Sequence, residues 1–185
     1  MSSVLDCIDH RLAAWLTAQA VFFVGTAPSG DEGRVNVSPK GMGGTFAVLG
    51  PLCVAYLDYT GSGAETIAHL RENGRIVLMF CAFSGPPKIV RLHGHGRYVL
   101  AHDPEFDTLR GHFAKERTLG QRAVVIVDVE RVSDSCGFSV PLMDVREDRD
   151  LLDRHAEHRD EEYFERYQRE RNARSIDGLP ALAER

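Results

Sequence analysis

Three stretches of this chain hold groups that could bind a ligand, and the most suggestive is Gly61-Ser62-Gly63-Ala64-Glu65. It follows an apolar run, Leu52 to Leu57, and precedes a helical pattern, so it reads as a strand-to-helix loop. Ser62 and Glu65 have the spacing of a capping box. A glycine ahead of a helix start leaves backbone N–H groups free at the positive end of the dipole, which makes a seat for a phosphate. The plainer reading is a capped helix that binds nothing. Two familiar glycine motifs do not fit. Thr66 stands where the dinucleotide fingerprint has its third glycine, the next strand runs into Cys81-Ala82-Phe83 with no acid for a ribose, and no lysine follows the loop as in a P-loop.

The second stretch runs from Arg34 to Lys40. Strand alternation places Arg34, Asn36 and Ser38 on one face and Val35 and Val37 on the other. Lys40, just past the polar face, would pair with a phosphate on the Gly61–Ser62 loop if the two strands are neighbours; otherwise it is a solvated lysine beside a turn. The third stretch, Lys88 to Leu100, puts Ile89, Arg91, His93 and His95 on one face and Val90 and Leu92 on the other. Arg91 in that setting wants an anion or a structural salt bridge. His93 and His95 lack a nearby carboxylate or thiol to complete a coordination set, so no metal site is expected.

The elements that must position these groups read mainly as strands. Ser3 as N-cap, with Leu5, Ile8, Leu12, Trp15 and Leu16 at helical spacing, predicts an amphipathic first helix. Val21 to Gly25 and Arg34 to Ser38 form a hairpin across the turn-rich Pro28 to Gly33, and Pro39 to Gly44 is a loop. Short strands follow at Thr45–Leu49 and Leu52–Leu57, then a helix burying Ile67 and Leu70 and stopped by Gly74, then a strand at Ile76–Phe80. After the long strand to Leu100, Asp103-Pro104-Glu105 opens a helix with Phe106, Leu109 and Phe113 as its buried stripe. Arg122 to Val132 is a β-branched strand suited to a sheet centre, and Ser133 to Met143 is irregular.

From Glu147 to about Ala173 the spacing predicts one charged helix, with Glu162–Arg166 and Glu165–Arg169 as supporting pairs and Leu152, Ala156, Tyr163 and Tyr167 as a narrow seam. A turn at Ser175 to Pro180 would dock locally or across a dimer. The organisation is therefore a domain at 1–146 and a helical extension with tail at 147–185.

Composition narrows the function classes. The chain has 185 residues, a net charge of −5 and 43% hydrophobic residues, which suits one domain with a real core. No clustered basic face argues for nucleic acid. No apolar run is long enough to span a bilayer and no signal layout opens the chain, so a cytoplasmic protein without membrane contact is expected. Cys7, Cys53, Cys81 and Cys136 are scattered without a CxxC, as reduced thiols are.

Short antiparallel strands with few helices suggest a split or closed β-barrel, mainly β with peripheral helices. The ordered set Val35-Asn36-Val37-Ser38-Pro39-Lys40-Gly41, Tyr56-Leu57-Asp58-Tyr59-Thr60-Gly61-Ser62-Gly63, Asn73-Gly74-Arg75-Ile76-Val77-Leu78-Met79-Phe80 and Val90-Arg91-Leu92-His93-Gly94 resembles the pyridoxamine 5′-phosphate oxidase-like FMN-binding split-barrel family, over roughly Val21 to Val132. The resemblance implies a homodimer with FMN in a cleft between subunits. It also implies cofactor contacts from Asn36, Val37, Ser38, Lys40, Asp58, Tyr59, Gly61, Ser62 and Arg91. Two departures stand out. The oxidases carry a basic Ser-Arg-Lys triplet where this chain aligns Gly61-Ser62-Gly63, so backbone amides would have to replace the cations. The tail SIDGLPALAER also lacks the arginine- and histidine-bearing substrate motif. The expected function is therefore an FMN-dependent oxidoreductase acting on a small molecule or electron acceptor other than pyridoxamine phosphate. The alternatives are a deazaflavin-dependent reductase or a flavin or haem binder without turnover. A flavin brings its own redox chemistry, which fits the lack of a nucleophile–base set.

Overall fold

The computed structural model describes residues 2–182. Its elements are β1 (Ser2–Leu5), α1 (His10–Thr17), β2 (Phe22–Thr26), β3 (Asn36–Lys40), β4 (Phe46–Gly50), β5 (Cys53–Tyr59), α2 (Glu65–Glu72), β6 (Arg75–Cys81), β7 (Ile89–Leu100), α3 (Phe106–Arg110), β8 (Gln121–Ser135), α4 (Leu151–Glu157) and α5 (Glu161–Arg171). The strands make one antiparallel sheet in the order β3-β2-β6-β7-β8-β5-β4, with β1 added on β8. The sheet is strongly curved, and its path ends at β3 on one side and at β4 on the other.

The long β8 organises this sheet. β7 pairs along its whole length on one edge, while the other edge is shared by β5, opposite Gln121 to Asp128, and β1, opposite Val132 to Ser135. At the His93/Gly94 register shift a side chain would not fit, because a Cβ on Gly94 would lie 2.0 Å from the Asp128 carbonyl oxygen.

Alternation then sorts the side chains. Val24, Leu78, Phe80, Val90, Leu92, Val125 and Val127 point inward and are fully buried, joined by Leu12 and Leu16 of α1. Phe22 stacks on Phe80 at 5.2 Å and Phe46 meets both rings. The other faces of β5 and β8 are covered too. Ala55, Leu57, Val124 and Ile126 pack under Phe106 of α3 and under Phe113, just beyond that helix. Both faces being dry explains why β5 and the first half of β8 read as continuous apolar runs.

Away from the site, the structure departs from the sequence reading in three places. Ser3 caps nothing: residues 2–5 form a strand, because β8 runs past the end of β5 and leaves a free edge for them, and Asp9 caps α1 through the Leu12 amide. The charged C-terminal segment is two helices, broken at His158–Asp160, where Asp160 caps α5 by accepting from the Tyr163 amide. Phe164, outside the expected seam, is the buried residue of α5. Of the two outcomes open to the turn at the chain's end, it docks locally, with Ala181 packing against Ala64, Ile67 and Ala68 of the α2 region. Among the described residues no helix is long and apolar enough to cross a membrane.

Candidate functional site

The sheet does not close on itself between β3 and the β5–β4 end, and side chains bridge the gap. Lys40, at the end of β3, places its Nζ 2.8 Å from Asp58 Oδ1 on β5 and 5.5 Å from the Tyr56 ring centre. Asp58 Oδ2 accepts from Arg122 of β8 at 2.7 Å. Asp58 is 4% exposed and Arg122 is 6% exposed, so these two form a buried ion pair, with the half-buried Lys40 completing a triad. Burial alone would raise the Asp58 carboxyl, but Arg122 and then Lys40 hold it at about 2. Two cations share one carboxylate, which leaves one surplus positive charge.

A neutral polar line continues from the triad along the inner face of β3. Ser38 Oγ donates to Asn36 Oδ1 at 3.0 Å, and Asn36 Nδ2 donates to Thr26 Oγ1 and to Thr66 Oγ1, both at 3.1 Å. Thr26 Oγ1 lies 2.9 Å from His69 Nδ1 on α2. His69 is fully buried; desolvation pushes its pKa down in spite of Glu65, Glu72 and Asp177, so the ring is neutral near pH 7. Its Nε2 has no hydrogen-bond partner among the described residues. The buried Tyr56 hydroxyl sits beside Thr66 without a hydrogen bond of normal geometry, and burial raises its pKa well above the usual tyrosine value.

The loop between β5 and α2 is fixed from a different direction. Thr60 donates its amide to the Gly120 carbonyl, and its hydroxyl accepts from Gln168 of α5 at 2.8 Å. The Gly61 carbonyl accepts from Asn172 Nδ2 at 2.9 Å, and the Gly63 carbonyl from Arg122 Nη1 at 2.8 Å. Arg122 Nη1 also reaches Asn172 Oδ1 at 3.0 Å. The expected capping box is absent. Ala64 occupies the N-cap with no side-chain cap, and Glu65 turns outward to accept the Ile176 amide at 3.2 Å, since the docked tail brings that amide within reach.

The structure therefore gathers Asn36, Ser38, Lys40 and Asp58 into one seam and ties it to Gly61 through Arg122 and Asn172. Ser62 is exposed on the loop beside them. Three other expected residues lie elsewhere. Val37 is on the outer face of β3, 66% exposed. Tyr59 alternates away from Asp58, gives its hydroxyl to the Arg117 carbonyl and is covered by that guanidinium at 4.0 Å. Arg91 is on the outer face of β7, 3.2 Å from Ser135 Oγ. His93 and His95 are exposed on the same outer face, and His95 Nδ1 lies 3.0 Å from Glu130. Sequence reasoning passed over Arg122 and Asn172. A charged residue heading a β-branched strand was a usable signal for Arg122; an asparagine ending a charged helix gave none.

An antiparallel barrel split along one seam, with polar groups lining the split, defines the class: this is a split-barrel protein. The family model described as pyridoxamine 5′-phosphate oxidase matches residues 8–136, and the chain belongs to that family. It is 42% identical over 192 residues to the pyridoxamine 5′-phosphate oxidase family protein ustO of Aspergillus flavus, covering 96% of this chain and 76% of the relative. Two crystal structures of HupZ from Group A Streptococcus share the fold. One, of a single-substitution variant, has a TM-score of 0.56 at 20% identity over 69% of this chain and 99% of that one. The other has a TM-score of 0.54 at 21% identity over 68% and 91%.

Proposed function

We propose that this protein is a flavin-dependent oxidoreductase that holds FMN across the split, with the phosphate on the Gly61–Ala64 loop and the ring toward β3. The observation that carries this reading is the seam itself. Its surplus positive charge, the exposed Ser62-Gly63 backbone beside it and the hydrogen-bonding inner face of β3 suit a ligand with a dianionic end and a polar edge. When bound, a flavin supplies the hydride and electron transfer. The chain's own residues would do the rest. Lys40 and Arg122 offset phosphate charge, the remaining lone pairs of Ser38 Oγ and Asn36 Oδ1 present acceptors, and the buried aromatic cluster beneath them keeps water out.

Family membership supports a homodimer, and the outer face of β2, β3 and β6 suits a second copy. Phe23, Val77 and Met79 are half-buried there beside the exposed Val37 and Pro39, with Arg91 and His93 at the rim. A Cβ on Gly25 would lie 2.9 Å from Val77 Cγ1, so this face is flattened by glycine.

The test is the visible spectrum of the purified protein, before and after denaturation and filtration, followed by titration with FMN. Flavin bands with FMN in the filtrate, bleached by NAD(P)H and restored by an acceptor, are expected. A colourless protein that takes up no FMN overturns the reading, and uptake of deazaflavin or haem would replace it.

A further inference from the structure

The basic triplet that would hold a phosphate is missing from this chain, and the structure shows what stands in its place. The Gly61 and Gly63 carbonyls are both drawn toward the protein, one by Asn172 Nδ2 and the other by Arg122 Nη1. The peptide bonds of this loop are trans, as they are throughout the described residues. In a planar trans peptide the carbonyl and the next N–H point in opposite directions. Capture of the Gly61 carbonyl by Asn172 therefore turns the amide of the exposed Ser62 away from the protein, and that amide has no partner among the described residues; Ala64, by contrast, is buried.

Asn172 is built to hold this arrangement. It is fully buried, 0% exposed, at the end of α5. Its Oδ1 accepts from Arg122 and its Nδ2 donates to Gly61, while its amide donates to Gln168 and its carbonyl accepts from Leu182. Every hydrogen-bonding group of the residue is engaged by the fold, so the loop cannot rotate without leaving a buried amide unsatisfied. Gln168, one turn earlier on the same helix, fixes Thr60 at the start of the loop. The buried polar face of α5 thus serves the loop.

We propose that Asn172 is a positioning residue for cofactor selection: by holding the Gly61 carbonyl inward it aims the Ser62 amide outward, and so makes the protein prefer a phosphorylated flavin over the same flavin without phosphate. This rests on the cofactor reading above. The C-terminal helical extension is then part of the binding apparatus, although it contributes no side chain to the ligand.

The experiment compares FMN with riboflavin, which differ only in the phosphate, in the full-length protein and in the Asn172→Asp and Asn172→Leu variants. The carboxylate introduced by Asn172→Asp would still accept from Arg122 but would be set against the Gly61 carbonyl. The expected result is an FMN dissociation constant weakened about tenfold or more, the scale of one buried hydrogen bond, with riboflavin affinity nearly unchanged. General destabilisation would lower both affinities together. Equal losses, or an unchanged FMN-to-riboflavin ratio, overturn the inference while leaving the cofactor reading intact. A wild-type protein that binds neither flavin removes both. Should the variants not fold, amide NMR of the wild type decides: FMN but not riboflavin is expected to shift the Ser62 amide, and equal shifts with both overturn the inference.

Discussion

The two sides of this barrel obey the same alternation and turn opposite chemistry inward. On the closed side, β6, β7 and β8 pair through their backbones, and Leu78, Leu92 and Val125 fill the interior with no polar side-chain atom to satisfy. On the split side, β3 has no strand partner beyond β2, and its inward residues are Asn36, Ser38 and Lys40, while Val35 and Val37 face solvent at 71% and 66% exposure. The backbone cannot hold this gap shut, so side chains do. Alternation assigns residues to faces but does not say which face is inside. At this edge the polar face goes in, where Asn36 meets Thr26 and Thr66 and Lys40 meets Asp58.

That contrast is open to direct attack. The largest effect is expected at Asp58. Its removal in Asp58→Ala leaves Arg122 buried without its counter-charge and should cost about 3–5 kcal/mol in chemical denaturation, comparable to the ~2–5 kcal/mol expected for Leu92→Ala on the closed side. A loss below about 1 kcal/mol for Asp58→Ala would mean that the charges do not hold the split. The same triad predicts acid sensitivity. Asp58 titrates at about 2 when folded, against an ordinary 3.8, so the unfolded chain takes the proton first. The stabilisation it supplies is complete above pH 3.8 and is lost as pH falls toward 2.

The next effect is smaller and separates the two sides by pH. His69 lies on the split side with its pKa lowered by burial, so the unfolded state binds a proton first as pH drops below 6.5. Stability should be at its plateau above that pH and decline beneath it, by at most about 1.4 kcal/mol per pH unit, until the folded ring protonates. His69→Gln should flatten this slope between about pH 6.5 and 5; an unaltered slope would assign it to other groups. The smallest effect compares two helix starts. Asp160→Ala, which removes an observed cap, should cost about 1 kcal/mol, whereas Ser62→Ala should stay within about 0.5 kcal/mol because Ser62 caps nothing. A large Ser62→Ala loss would restore the capping box that the structure replaces.

Much of the scaffold was legible along the chain. The hairpin of β2 and β3, the long β7 with Val90 and Leu92 facing in, the stop at Gly74 with its φ of 70° and the β-branched β8 all follow from local pattern and turn chemistry. The misreadings fall where a distant partner decides. Residues 2–5 became a strand because β8 offered an edge, and Glu65 left its own helix cap because the tail supplied the Ile176 amide. Of the site, Lys40 and the Gly61–Ser62 loop could be singled out by residue type, while Arg122 and Asn172 could be recognised only once their partners were known.

The sequence by itself determined the sheet-forming segments, the turns between them and the two faces of each strand, since these depend on neighbours a few residues apart and on the period of two in an extended chain. Only the tertiary structure decided that Lys40 answers Asp58 instead of solvent, that the polar face of β3 points inward, and that a helix end 111 residues away sets the loop through Asn172 and Gly61. Those outcomes depend on which buried donors and acceptors find each other across the curved sheet, and that choice is made by the curvature and register of the whole barrel.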